Sequence, residues 1–117
     1  MRGVRGLVAV ATIAVSLFAF VSPAQAATTV KGTCNLTWTP KTVTIAKDGK
    51  VTWKAPGCGP HTVTSFSANW SKNTTIATGA STSRVFSKKG VFKFRCRFHS
   101  SLVHGVCSGM CGTVRVT

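Results

Sequence analysis

Residues 91–98 read VFKFRCRF, an alternation of apolar and basic side chains that fits a β-strand. Successive side chains of a strand point to opposite faces, so Phe92, Phe94, Cys96 and Phe98 share one face and the basic residues share the other. Charged side chains are almost never fully buried without a partner, so the apolar face must be the inner one. The pattern predicts a strand from a sheet with one buried face, and it directs Cys96 inward.

Short segments of the same kind recur along the chain. Rich in Thr, Val and Phe and separated by Gly and Pro, they predict strands at residues 42–46, 50–54, 61–65, 83–86 and 112–116. The turn at residues 47–49, which contains Asp48-Gly49, is predicted to join the first two as a hairpin. Apart from a possible helical turn at residues 68–72, no apolar period near 3.6 runs through residues 27–117. We therefore predict an all-β sandwich of seven to eight strands, with Trp38, Trp53 and Trp70 in or near its core.

The N-terminus has the pattern of a secretory signal peptide. A short basic start precedes an apolar run at residues 7–21, and AQA at residues 24–26 has the form of a cleavage site. The run is too short for a membrane span. We expect residues 1–26 to be removed on export, which leaves one secreted or periplasmic domain at residues 27–117. That domain is expected to be monomeric and to have no transmembrane segment.

The charge balance excludes one class of enzyme and points to a class of partner. Residues 27–117 hold thirteen Lys and Arg against one acid, Asp48, hence a net charge of +12. A pair of catalytic carboxylates cannot be formed from one acid. The positive charge indicates a redox protein with an acidic docking surface, or an anionic cell envelope. Nucleic acid is not expected, because the chain is predicted to be exported and has no base-reading motif.

Possible ligands for a soft metal are concentrated near the C-terminus. Residues 94–112 contain three Cys, two His and one Met. Strand parity also places His61 and Met110 on the inner side, as it does Cys96. Two His and one Cys with a weak axial Met form an electron-transfer copper site. A second histidine follows Cys96 closely enough to supply the second imidazole, and both His99 and His104 are available.

Four segments resemble the cupredoxins, in particular the small plastocyanin and amicyanin type: WTPKTVTIAKDGKVTWK, GPHTVTS, KKGVFKFRCRFH and GMCGTVRV. The resemblance covers nearly all of residues 34–117. It implies a Greek-key β-sandwich that transfers single electrons through one copper ion, Cu(I)/Cu(II), and is not an enzyme. The implied ligands are His61, Cys96, His99 and Met110, and the edge of the second histidine is implied to lie near the surface.

The chain departs from this pattern in two places. Plastocyanin and amicyanin have only a few residues between the second histidine and the methionine, whereas this chain has ten there. The excess includes His104, a rival to His99 as ligand, although the resemblance favours His99, since Cys-x2-His is the spacing of the family. Thr62 follows His61 where the family often has Asn, which leaves the hydrogen-bond donor to the Cys96 sulfur unassigned.

Two alternative functions remain open from the sequence. A copper carrier or buffer without electron transfer would use the same ligands, and a loosely held axial side would suit it. A metal-free cationic sandwich that binds an anionic polymer or membrane would instead use the charge alone. This second alternative predicts that Cys96 is not a free thiol.

The cysteine count is odd, which leaves one thiol unpaired in an exported chain. If Cys96 binds metal, the other four can form two disulfides. Cys58 and Cys107 each lie three residues before a proposed ligand, which favours their pairing at one rim and pairs Cys34 with Cys111. Pairing Cys34 with Cys58 and Cys107 with Cys111 is the other possibility that we retain.

Overall fold

A computed structural model describes residues 3, 6, 8–18 and 28–117. The predicted cleavage site at residues 24–26 lies outside the described residues, so the signal peptide stays a prediction. The large apolar side chains described between residues 8 and 18 are exposed. None of the described segments forms a helix long and apolar enough to cross a membrane.

Residues 28–117 fold into two packed β-sheets. The strands are β1 Thr28–Gly32, β2 Trp38–Thr39, β3 Thr42–Ile45, β4 Lys50–Lys54, β5 His61–Ser65, β6 Asn73–Ile76, β7 Ser81–Val85, β8 Gly90–Val103 and β9 Val106–Val116. One sheet has the order β2-β1-β4-β7 and the other has the order β3-β9-β8-β5-β6. The predicted all-β sandwich is confirmed, with nine strands in the described part of the chain instead of seven or eight. The unpredicted β1 is held by parallel pairing with β4, a contact that no local pattern reveals.

Two local predictions were wrong. β3 and β4 do not form a hairpin, because they belong to different sheets. The turn itself is present: Asp48 has a φ of 68° and the Gly49 amide donates to the Ala46 carbonyl over 3.0 Å. It carries the chain across the core, where β3 and β4 bury their apolar faces from opposite sides. The possible helical turn at residues 68–72 is a non-helical turn at residues 68–69 followed by irregular chain.

Aromatic rings fill the space between the sheets and extend to the end of the sandwich where β5 begins. Trp38, Trp53 and Trp70 are 3%, 0% and 9% exposed, which confirms their predicted burial. Phe94 packs edge-on against Trp53 at 5.3 Å and against Trp38 at 5.7 Å between ring centroids. Each buried ring contributes about 1.5–3 kcal/mol through the apolar surface removed from water. Closely packed aromatic rings therefore support the end of the sandwich at which β5 begins.

The disulfides join Cys34 to Cys58 and Cys107 to Cys111. The pairing that the sequence favoured was wrong, and the retained alternative is the one present. β1 and β4 run parallel with Lys31 opposite Lys54, so their carboxyl ends lie side by side. The loops that follow these two ends carry Cys34 and Cys58, whose Cα atoms are 5.1 Å apart.

Candidate metal centre

Three side chains from separate parts of the sequence converge at one end of the sandwich: His61, Cys96 and His99. The Nδ1 atoms of the two histidines are 3.3 Å apart, and the Cys96 Sγ lies 3.4 Å from His99 Nδ1 and 3.8 Å from His61 Nδ1. His61 and Cys96 are almost completely buried, whereas His99 is half-buried. Cys96 is the free cysteine of the described chain, as an unpaired fifth cysteine predicted.

The separations of the three donor atoms suit a metal ion. They form a nearly equilateral triangle with sides of 3.3, 3.4 and 3.8 Å. The centre of such a triangle lies about 2.0 Å from each corner, which is the usual metal–imidazole bond length and about 0.3 Å short of a metal–thiolate bond. One thiolate and two imidazoles are also donors that copper prefers. By distance and by chemistry, the residues present fit a copper ion.

His61 is fixed at the first position of β5. Its ring packs 5.8 Å from the ring of Trp38, centroid to centroid, at the outer limit of the aromatic core. The strand pairs antiparallel with β6 through His61 and Ile76. The imidazole therefore has a covered face and a fixed backbone, which leaves its Nδ1 directed at Cys96 and His99.

A bulge in β8 brings Cys96 and His99 to the same site. Residues three apart in a regular strand point to opposite faces, so an unbroken β8 could not present both side chains to one ion. The register with β9 shifts between Arg95, which pairs with Cys111, and Ser100, which pairs with Gly109. The Ser100 hydroxyl donates to the Cys96 carbonyl and so closes the bulge.

The bulge also corrects the predicted orientation of one side chain. Strand parity placed Phe98 on the buried face together with Cys96, but Phe98 is 52% exposed. The alternation holds up to Cys96 and fails beyond it because the bulge reverses the parity. Phe98 lies next to the half-buried His99, with ring centroids 6.4 Å apart.

Thr62 supplies the contact to sulfur that the sequence left unassigned. Its backbone amide donates to Cys96 Sγ over 3.3 Å, a bond that stabilises the negative charge of a thiolate. Its hydroxyl oxygen accepts from the Arg97 amide at 2.8 Å and from the Thr64 hydroxyl at 3.0 Å. As the neighbour of inward-facing His61, Thr62 would point outward in a regular strand, but it is fully buried because it bridges β5 to the bulge in β8.

Met110 lies opposite the bulge. In β9 it lies between Gly109, the partner of Ser100, and Cys111, the partner of Arg95. It is fully buried. The end of β1 indicates where its side chain points. A Cβ added at Gly32 would lie 3.1 Å from Met110 Cε and 2.6 Å from His61 Cδ2. The thioether and the imidazole therefore converge on Gly32, a residue that sequence reasoning missed because no local signal marks it.

The ten residues between His99 and Met110 form a two-stranded ribbon. Ser100–Val103 pairs with Val106–Gly109, and a turn with positive φ at His104 and Gly105, 48° and 75°, joins the two strands. His104 is exposed at the tip and takes no part in the three-residue group. Between the two rival histidines, the structure places His99 next to Cys96.

Burial lowers the pKa of His61 below its ordinary 6.5, and the neighbouring His99 lowers it further. In the metal-free protein, the unfolded chain therefore takes up this proton at a higher pH than the folded one. We expect stability to decrease as the pH falls below 6.5, by at most about 1.4 kcal/mol per pH unit, until the folded pKa is passed. Denaturant unfolding between pH 8 and 4.5 measures this slope.

His61→Gln should remove that part of the pH dependence. His104→Gln is the matched control, because it removes an exposed imidazole from the ribbon tip and should follow the parent. A parent-like slope in His61→Gln would contradict the assignment.

No family model matches the sequence, and no curated protein matches it. Solved structures do. The chain is similar to the purple cupredoxin from Nitrosopumilus maritimus at 24% identity, over 77% of this chain and 99% of that one, with a TM-score of 0.59. It is similar to the reduced Cu(I) form of an amicyanin variant at 18% identity, over 80% and 85% of the two chains, with a TM-score of 0.63.

A copper-containing nitrite reductase from Thermus scotoductus is a third similar structure. The identity is 20% and the TM-score is 0.61, over 90% of this chain but only 25% of the reductase. The likeness therefore covers one part of a much larger enzyme. Together with the two small proteins, it shows that residues 28–117 have the cupredoxin fold.

Proposed function

We propose that this protein is an exported mononuclear copper protein that transfers single electrons between redox partners. Copper would be held by Nδ1 of His61, Sγ of Cys96 and Nδ1 of His99, and Met110 would be a weak fourth ligand. One observation carries the proposal: these three donor atoms lie within 3.8 Å of one another around a common point. The pairing of all other cysteines in disulfides supports it, because it leaves this thiol for the metal.

When bound, copper supplies the Cu(I)/Cu(II) couple, and the chain supplies a fixed environment for it. His61 and Cys96 are buried, so water is kept away from two of the donors. The Thr62 amide holds the sulfur, and strand pairing holds the backbone on both sides of the bulge. Donors that need not move between oxidation states favour rapid electron transfer. The half-buried His99, beside exposed Phe98, provides the route to the surface.

The protein is proposed to catalyse no substrate turnover of its own. Its single acid, Asp48, lies in the turn between β3 and β4. Met110 and Cys96 are fully buried, so a substrate has no direct approach from their side. Of the three donors, His99 is the one that is partly exposed, so an electron can pass there, and residues 98–112 contain no carboxylate side chain.

Copper titration with optical and paramagnetic spectroscopy tests this function. Cu(II) added to the purified protein should bind with one-to-one stoichiometry and give a strong visible band from the thiolate-to-copper transition. The paramagnetic resonance spectrum should show a narrow copper hyperfine splitting. Zinc, which has no such transition, is the colourless control. A colourless copper complex, or a Cys96 thiol that still reacts with alkylating reagents after copper addition, would overturn the proposal.

The copper-carrier alternative is less well supported by the geometry. The ten-residue segment that suggested a loose axial side is a paired ribbon, and a disulfide joins Cys107 to Cys111 across Met110. A closed site of this kind favours retention of the ion. Two rates separate the functions: a carrier releases copper to a chelator faster than it exchanges electrons, and an electron carrier does the opposite.

We also propose a partner with an acidic docking face. Residues 98–112, which include His99 and the ribbon, hold no charged side chain, whereas thirteen basic residues occupy the rest of residues 27–117. An uncharged contact zone within a basic body fits a partner whose apolar patch is bordered by carboxylates. Exposed charges are screened beyond about 10 Å at 0.1 M salt, so electron transfer to such a partner should slow as salt rises. A rate that does not change with salt removes the steering role.

A further inference from the structure

The Cys107–Cys111 disulfide closes a short ring of β9 that contains Met110. A regular strand rises about 3.3 Å per residue, so Cα atoms four residues apart would be separated by about 13 Å. Here the two Cα atoms are 6.2 Å apart. The backbone of residues 108–110 must therefore bend sharply inside the ring. Met110, immediately before Cys111, is fully buried.

Gly109 makes the bend sterically possible. Its φ is 96°, a conformation that other residues seldom adopt. A Cβ at this position would also overlap the carbonyl oxygen of His99 and lie 3.1 Å from the Cα of Ser100. The β9 bend thus packs against the end of the β8 bulge that carries Cys96 and His99. The two irregularities face each other, and the β8 bulge carries two of the three grouped donors.

The ribbon alone is a weak support for Met110. It has four cross-strand pairs, from Ser100↔Gly109 to Val103↔Val106, and nearly all of its side chains are exposed. An isolated two-stranded hairpin is at best marginally stable in water. Met110 lies between this ribbon and the pairing that resumes at Cys111, so fraying of the ribbon would free its backbone on the N-terminal side. The disulfide removes this dependence, because it fixes Met110 through a ring of five residues.

We propose that Cys107 and Cys111 are positioning residues, whose disulfide holds the Met110 thioether in the metal site despite the ten-residue insertion. The inference rests on the proposed function for the role of Met110 toward copper. In the metal-free protein, too, the ring should keep Met110 buried. Cys34–Cys58 offers a matched control, since it joins two loops without enclosing a proposed ligand.

The first test measures Met110 in the metal-free protein. Dilute peroxide oxidises exposed methionine sulfur, and peptide mass mapping distinguishes Met110 from Met1. In the Cys107→Ser/Cys111→Ser double variant, the oxidation rate of Met110 should rise at least tenfold over the parent. In Cys34→Ser/Cys58→Ser it should stay within about twofold of the parent under conditions where both remain folded. Equal rates in the parent and the first variant would overturn the proposal.

A second measurement applies if the first variant does not fold. In the Cys34→Ser/Cys58→Ser background, Cys107–Cys111 is the remaining disulfide of residues 28–117. A small dithiol reduces it by thiol–disulfide exchange: two thiols form on the protein and the reagent becomes a cyclic disulfide. Reduction of the folded metal-free protein should raise Met110 oxidation at least tenfold, and reoxidation of the ring should reverse the change. No change on reduction contradicts the proposal.

The spectra of the copper form test the positioning role, because loss of a disulfide that only stabilised the fold would not alter them. The visible and paramagnetic spectra of Cys107→Ser/Cys111→Ser should match those of Met110→Leu, while Cys34→Ser/Cys58→Ser keeps the parent spectra. A parent spectrum in the first variant overturns the positioning role. If the parent itself gives no thiolate band, the proposed function fails, and the metal-free oxidation rates still decide whether the ring holds Met110.

Discussion

Cys96→Ser should abolish the visible band of the copper form without unfolding the protein. The side chain is fully buried, and serine differs from cysteine only in the replacement of sulfur by a smaller oxygen. The Thr62 amide that now donates to Sγ can donate to the hydroxyl instead, so no buried amide loses its partner. A serine hydroxyl does not ionise near neutral pH, however, and is a poor ligand for soft Cu(I). We expect Cu(I) affinity to fall by at least a hundredfold, equivalent to about 2.7 kcal/mol.

Chelator competition for Cu(I) and the optical spectrum with Cu(II) measure these two effects. The Cys34→Ser/Cys58→Ser variant is the control, because it removes two cysteines and leaves the free thiol in place. Circular dichroism of the metal-free variants checks that the fold is retained. A blue band that survives in Cys96→Ser would mean that another residue provides the charge-transfer ligand, and the site would have to be reassigned.

The part of this site that the sequence could predict is the part that depends on local periodicity and spacing. Alternation in VFKFRCRF directed Cys96 inward, and the same reasoning directed His61 inward from β5; both are buried. The Cys-x2-His spacing selected His99 over His104, and the structure places His99 beside the sulfur. The first two inferences use alternation within one strand, where backbone geometry decides the outcome. The choice of His99 came instead from the family spacing, since a regular strand would have directed it away from the face of Cys96.

What the sequence could not predict depends on contacts between distant segments. The Asp48-Gly49 turn was recognised, but its flanking strands enter different sheets, because the whole core decides where each apolar face is buried. The disulfide pairing was misjudged because it follows from the parallel alignment of β1 and β4. The β8 bulge was missed because register is a property of two strands, and Phe98 was misplaced for the same reason.

Gly32 shows the same limitation at the site itself, because its close neighbours His61 and Met110 come from distant strands. Gly32→Ala should weaken copper binding at least tenfold and destabilise the metal-free protein by about 1–3 kcal/mol, the usual cost of overpacking a core. The new methyl group would lie 2.6 Å from Cδ2 of His61, which is far inside van der Waals contact. It would also lie 3.1 Å from Cε of Met110.

The two neighbours differ in how easily they can move. The methyl end of Met110 is the tip of a flexible side chain and can shift at small cost. The His61 ring cannot, because the Trp38 ring packs against it at 5.8 Å and β5 fixes its backbone. The added methyl group should therefore displace the imidazole from Cys96 and His99, and the loss of affinity comes from this displacement.

Gly57→Ala is the matched control for this substitution. It adds the same methyl group in the loop after β4, where the nearest atom is Cys34 Sγ at 3.9 Å, an ordinary contact distance. We expect it to change the free energy of unfolding by less than about 0.5 kcal/mol, as surface substitutions usually do, and to leave copper affinity unchanged. Denaturant unfolding and chelator competition on both variants decide the matter. If Gly32→Ala binds copper as tightly as Gly57→Ala, His61 is free to move, and the rigid placement of its Nδ1 in the site is wrong.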